Sequence, residues 1–63
     1  MKHYLKIENN SIKEAPFKAI VNGYTVYGYN AESNAKNLKK AGYKAYNKPA
    51  CDYEIKDGVI VER

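Results

Sequence analysis

The 63-residue chain has no tryptophan, one phenylalanine, one cysteine, one histidine and two prolines. A lone Cys51 cannot form an internal disulfide, and one imidazole, His3, cannot anchor a zinc site built from several Cys and His ligands. There is no long apolar run. The opening stretch Met1-Lys2-His3-Tyr4-Leu5-Lys6-Ile7 mixes polar and apolar residues, which reads as neither a signal peptide nor a membrane span. A cytoplasmic protein with a free thiol is the expectation. Acids are missing from one stretch: between Lys36 and Lys48 stand Lys36, Lys39, Lys40, Lys44 and Lys48 and no Asp or Glu. The rest of the chain has six Lys/Arg against seven Asp/Glu, a sum of −1, so the whole excess of a +4 protein lies in that stretch. Such a cluster is a solvated face or a contact for an acidic partner.

Catalytic chemistry finds little to use. Cys51, Ser11, Ser33 and Thr25 are the nucleophile candidates, and nothing in the spacing brings one to His3 and an orienting third group. Cys51 is expected to be a small, partly buried residue and His3 a surface residue. Asp52, Glu54 and Asp57 have the acid content of a calcium loop but not its spacing, nor a terminal glutamate at the required offset. A chain this short also leaves little room for a ligand-sized pocket. A non-catalytic protein with no cofactor, no metal, no small-molecule substrate and no membrane association is expected. A single domain over residues 1–63 is at the small end of what folds alone. Self-association or a protein partner would bury more apolar surface, so one of them is expected.

What the chain does have is turns. Asn9-Asn10, Asn22-Gly23 and Asp57-Gly58 each stand close to apolar or β-branched residues on both sides. A two-residue type I′ turn needs positive φ at both central positions, which Asn, Asp and Gly tolerate at least cost. Three hairpins follow. The first runs over 4–8 and 11–15 with Ile7 opposite Ile12, and Pro16 ends it. In the second, Val21 pairs with Tyr24, Ala19 with Val26 and Phe17 with Gly28. That register puts Phe17, Ala19, Val21, Tyr24 and Val26 on a core face, and Lys18, Ile20, Thr25, Tyr27 and Tyr29 on the other. The third runs over 53–56 and 59–62 with Ile55 opposite Ile60. Val59-Ile60-Val61 is apolar on both faces and predicts an internal or covered final strand.

Between the second and third hairpins the pattern turns helical. Asn30 is placed to cap a helix over about residues 31–41, with Ser33 as a later candidate cap. Ala31, Ala35 and Leu38 form a narrow apolar stripe, and Glu32 with Lys36 form an i,i+4 pair. Lys39 and Lys40 complement the helix C-terminus, and Gly42 with Tyr43 mark the stop. Residues 43–46 predict a short extra strand. The fold class is α+β: a small antiparallel sheet of three β-hairpins with one helix.

Two surfaces emerge as candidates for function. Ile20, Tyr27 and Tyr29 predict a protein-interaction face with aromatic anchors, unless the helix or the last hairpin covers it. Seven tyrosines beside eleven Lys/Arg also suggest nucleic-acid binding, with Tyr27 and Tyr29 as stacking platforms and Lys36, Lys39, Lys40, Lys44 and Lys48 on phosphates. The bland reading of the same tyrosines is that they are β-formers serving as core aromatics where Phe and Trp are scarce.

The order of features resembles a known group. The segments are Tyr4-Leu5-Lys6-Ile7-Glu8-Asn9-Asn10-Ser11-Ile12-Lys13-Glu14-Ala15-Pro16, Ile20-Val21-Asn22-Gly23, Gly28-Tyr29-Asn30, Leu38-Lys39-Lys40-Ala41-Gly42-Tyr43-Lys44 and Tyr53-Glu54-Ile55-Lys56-Asp57-Gly58. This is similar to small phage and prophage proteins that open with a hairpin ending in Ala-Pro. Those proteins continue through an Asn-Gly hairpin to a Leu-x-x-x-Gly-Tyr-Lys helix end. The resemblance covers most of the chain and rests on turn and cap chemistry. It implies a virion, assembly or accessory role, with virion association as the alternative to the cytoplasm, and it supplies no catalytic residues.

Overall fold

The computed structural model describes residues 2–63. Seven strands and one helical stretch follow in the order β1 (His3–Glu8), β2 (Ser11–Glu14), β3 (Lys18–Val21), β4 (Tyr24–Tyr27), α1 (Ala35–Lys40), β5 (Lys44–Tyr46), β6 (Tyr53–Lys56) and β7 (Val59–Glu62). The fold is α+β with antiparallel pairing throughout. All three turns adopt the expected backbone: φ is 53° and 61° at Asn9-Asn10, 52° and 81° at Asn22-Gly23, and 53° and 76° at Asp57-Gly58. The registers follow from these turns, with Ile7 opposite Ile12, Val21 opposite Tyr24, Ala19 opposite Val26 and Ile55 opposite Ile60. The hairpins form three separate sheets, β2-β1-β5, β3-β4 and β6-β7, with β5 supplying the extra strand beside β1.

β1 is the middle strand, and its sequence neighbours Tyr4 and Leu5 are both buried. Successive strand residues point to opposite faces, so β1 is covered on both sides. On the Tyr4 side, Tyr4, Ala15, Tyr29, Leu38 and Tyr43 form one cluster, with Ala19, Val21, Val26 and Ala35 packed against it. On the Leu5 side lies the third hairpin, where Leu5, Tyr46 and Ile60 border a common crevice. The Tyr46 and Tyr53 rings meet edge to face at 5.1 Å. Glu14 ties this layer down by accepting from the Ala50 amide at 3.1 Å, while His3 Nδ1 stands 3.3 Å from its other oxygen. His3 is therefore half-buried beside Glu14 rather than a plain surface residue.

The helical stretch is shorter and later than its caps predict. Glu32–Asn34 form a 3-10 turn, and α-geometry holds only over Ala35–Lys40, with no side-chain cap at Asn30 or Ser33. Asn34 is used differently: its amide donates to the Tyr29 carbonyl at 3.1 Å and its oxygen accepts from Asn37 at 2.7 Å. Because Glu32 lies in the 3-10 turn, it forms no ion pair with Lys36. The C-terminus is as predicted. Gly42 at φ 96° lets its own N–H reach the Lys39 carbonyl and the Tyr43 N–H reach that of Leu38, both at 3.0 Å, the bond pair of a Schellman ending. Lys6 from β1 closes this end: its Nζ reaches the Ala41 carbonyl at 3.3 Å and stands 4.8 Å from the Tyr43 ring centre. The same amine and Lys13 hold the exposed Glu8 carboxylate below its ordinary titration range, chiefly through the Lys6 hydrogen bond.

The last strand departs from expectation. Among the described residues β7 pairs only with β6, so one flank stays open: Val59 is exposed, and Ile60 and Val61 are half-buried. A two-stranded sheet has no interior position to offer it. Two packing contrasts are testable by urea unfolding. Leu38→Ala, which empties the fully buried centre of the Tyr4-side cluster, is expected to cost about 2–5 kcal/mol. Ile20→Ala, on the open face of β3, is expected to change stability by no more than ~0.5 kcal/mol. Equal losses would contradict this core assignment.

Candidate interaction surface

The β3–β4 hairpin presents one side of its ladder to the core and the other to water. Ala19, Val21 and Val26 pack inward. Ile20 and Tyr27, on the opposite face, are 77 % and 71 % exposed. Neither the helix nor the last hairpin covers them. The Lys18 amine stands 5.8 Å from the Tyr27 ring centre and shields part of one ring face.

Tyr29 is not part of this face; it is only 5 % exposed and packs edge to face with Tyr43 at 6.4 Å. The reason lies one residue earlier. Gly28 has φ 67°, and the Tyr29 N–H, not that of Gly28, donates to the Phe17 carbonyl at 2.7 Å. Two residues thus oppose Phe17, the geometry of a bulge led by a left-handed glycine. The extra residue reverses the alternation, so Tyr29 turns inward where an unbroken strand would send it outward with Tyr27. Phe17 and Tyr24 also depart from the predicted core face. They are 65 % and 77 % exposed, Phe17 at the open end of the ladder and Tyr24 beside the turn. Of the expected surface, Ile20 and Tyr27 remain on the open face, while Phe17 and Tyr24 reach water at the two ends of the core-side face. A signal for the change was present in Gly28, which follows the strand directly.

The basic cluster divides. Lys36, Lys39, Lys40 and Lys44 are exposed and form no ion pair among the described residues. Lys48 is instead paired with Glu62, whose carboxylate raises the lysine's pKa. An open groove of about 470 Å³ brings Ile20 and Val21 of β3 close to Asn37 and Lys40 of α1 and to Ala41 just beyond it. Apolar and basic candidates thus meet at one edge, while Tyr29, proposed as a stacking platform, is a core aromatic.

The reactive side chains have different neighbours. Cys51, expected to be partly buried, is exposed on a short 3-10 turn beside Asp52, whereas His3 faces Glu14. An open groove of about 500 Å³ runs past Cys51, lined also by Ile12, Tyr53 and Arg63. No group of three His, Cys, Asp or Glu suited to a metal ion occurs among the described residues. No helix among them is long and apolar enough to cross a membrane.

Comparison with protein-family models, with curated proteins and with solved structures returns no match.

The bulge is testable by substitution. An alanine at Gly28 would meet no atom within 4 Å, so its only cost is the left-handed backbone. Gly28→Ala is expected to lose about 1–2 kcal/mol in urea unfolding. An unchanged stability would mean that residue 28 is not left-handed and that Tyr29 needs another explanation.

Proposed function

We propose that this protein is a non-catalytic interaction module that works through protein contacts made by the β3–β4 hairpin. The accessory or assembly setting implied by its resemblance to phage and prophage proteins suits such a role. One observation carries the reading: Phe17, Ile20, Tyr24 and Tyr27, four large apolar side chains, are exposed on one hairpin that bears a single charge, Lys18. Large apolar groups exposed on both faces of one charge-poor hairpin favour partner contacts, and tyrosines are frequent anchors of such contacts. Small size supports it further, since docking adds the burial that a 63-residue core lacks.

A second reading is kept by one observation. Lys36, Lys39, Lys40 and Lys44 form an acid-free group, and Lys40 borders the groove that Ile20 lines. Nucleic-acid binding would use these amines on phosphates, with Tyr27 as the available ring. Lysines 39 and 40 also occupy the last helical turn, where they serve the negative end of the helix dipole.

A photo-crosslinking residue at position 27, activated in extracts of the source cells, separates the two. Protein adducts that persist at high salt and vanish with Ile20→Lys are expected. Nucleic-acid adducts that fall steeply with added salt, and no protein adducts, would overturn the proposal in favour of the second reading.

A further inference from the structure

Among the described residues, the β3–β4 hairpin pairs with no other strand on either flank. A two-residue type I′ turn makes Val21 and Tyr24 a hydrogen-bonded pair, and bonded and non-bonded pairs then alternate along the ladder. Ile20 with Thr25, and Lys18 with Tyr27, are the non-bonded pairs. The main-chain groups of Thr25 and Tyr27 therefore point away from β3, and no other backbone hydrogen bond reaches them among the described residues.

The two flanks differ. β3 carries Lys18 and runs beside the groove that Lys40 borders. β4 reads Tyr24-Thr25-Val26-Tyr27, with no charge and no proline, the devices that commonly keep an edge strand single.

Resting on the protein-contact reading above, we propose that β4 pairs antiparallel with β4 of a second copy, joining two hairpins into one four-stranded sheet about a two-fold axis. The outward-facing residues fix the register. Thr25 exchanges both main-chain bonds with Tyr27 of the second copy, Tyr27 does the same with its Thr25, and Val26 sits opposite its counterpart on the axis.

Three features select a copy of this chain as the occupant. The outward positions 25 and 27 are two residues apart, so a two-fold pairing satisfies all of their main-chain groups at once. The register also lays Tyr24 against Gly28 of the second copy, where open space surrounds the missing side chain and where Phe17 flanks the bulge. The two aromatics left exposed on the core-side face thereby gain a partner each. Finally, the contact is free of the like-charge conflict that a chain of net charge +4 would bring to most of its surface, since Lys18 is the hairpin's only charge and lies on β3. The exposed parts of Phe17, Tyr24 and Tyr27 offer roughly 400 Å² per copy. Together with the strand backbone, that brings the pair near the ~1,000 Å² at which specific interfaces begin. A modest, concentration-dependent dimer is the consequence.

Sedimentation equilibrium and amide hydrogen exchange across a range of protein concentration test it. The mass is expected to rise from 7.2 kDa towards twice that value, with Thr25 and Tyr27 amides becoming protected in step. Thr25→Pro removes an outward N–H that has no internal bond to lose, and is expected to stay monomeric. Should that variant fail to fold, Thr25→Lys sets like charges diagonally across the axis and is expected to abolish the dimer. A 7.2 kDa species at every concentration, or a dimer that survives the folded variant, would overturn self-pairing through β4. Neither result bears on Tyr27 adducts with a different protein, which decide the wider reading.

Discussion

Burial on both sides of β1 is the constraint from which the rest of the architecture follows. Tyr4 and Leu5 are adjacent in sequence, point to opposite faces and are both buried, so each face needs its own cover. The helix and second hairpin supply one, and the third hairpin supplies the other. Sixty-three residues divided into three layers leave each layer thin. Each face gets a small cluster, and polar side chains of the central sheet stitch its neighbours on: Lys6 to the helix end, Glu14 to the 3-10 turn that leads into the third hairpin.

That division explains why the second hairpin turns so much apolar surface to water. Its inward residues, Ala19, Val21 and Val26, are small or β-branched and suffice to seat it on the Tyr4-side cluster. The larger Phe17, Ile20, Tyr24 and Tyr27 are left over. The proposed protein contacts rest on this hairpin, seated by small residues and edged by unpaired strands. The lysines around α1 contribute a positive field beside it, part of which answers the helix's own C-terminal carbonyls.

Local chemistry made much of the fold legible in the sequence. The three turns, the cross-strand partners they impose short of the Phe17–Gly28 pair, and the Gly42 ending each depend on a few adjacent residues and appear as the residues predict; the Gly28 bulge replaces that last pair. Readings that depended on neighbours distant in sequence fared differently. Tyr29 was misplaced because a one-residue bulge at Gly28 reverses every side chain after it, which a strict period of two cannot register. Asn30 is a reasonable cap in isolation, but Asn34 is tied to the Tyr29 carbonyl, and a 3-10 turn precedes the α-helix. Phe17 and Tyr24 lie on the correct side of the ladder and still reach water, because alternation gives a direction and not the extent of the layer beneath. Of the candidate site, Ile20 and Tyr27 were readable from the Asn22-Gly23 register alone.

The central claim is that the apolar side chains of the second hairpin face water while Tyr29 does not. Paramagnetic broadening by a soluble, neutral gadolinium chelate, read at the Ile20 methyl and at the Tyr27 and Tyr29 rings, tests it most directly. At protein concentrations low enough to keep the chain monomeric, the account predicts strong broadening at Ile20 and Tyr27, with Tyr29 and the Leu38 methyls left sharp. Protection of Ile20 and Tyr27 together with broadening of Tyr29 would contradict it, since the hairpin would then present its other face to the core.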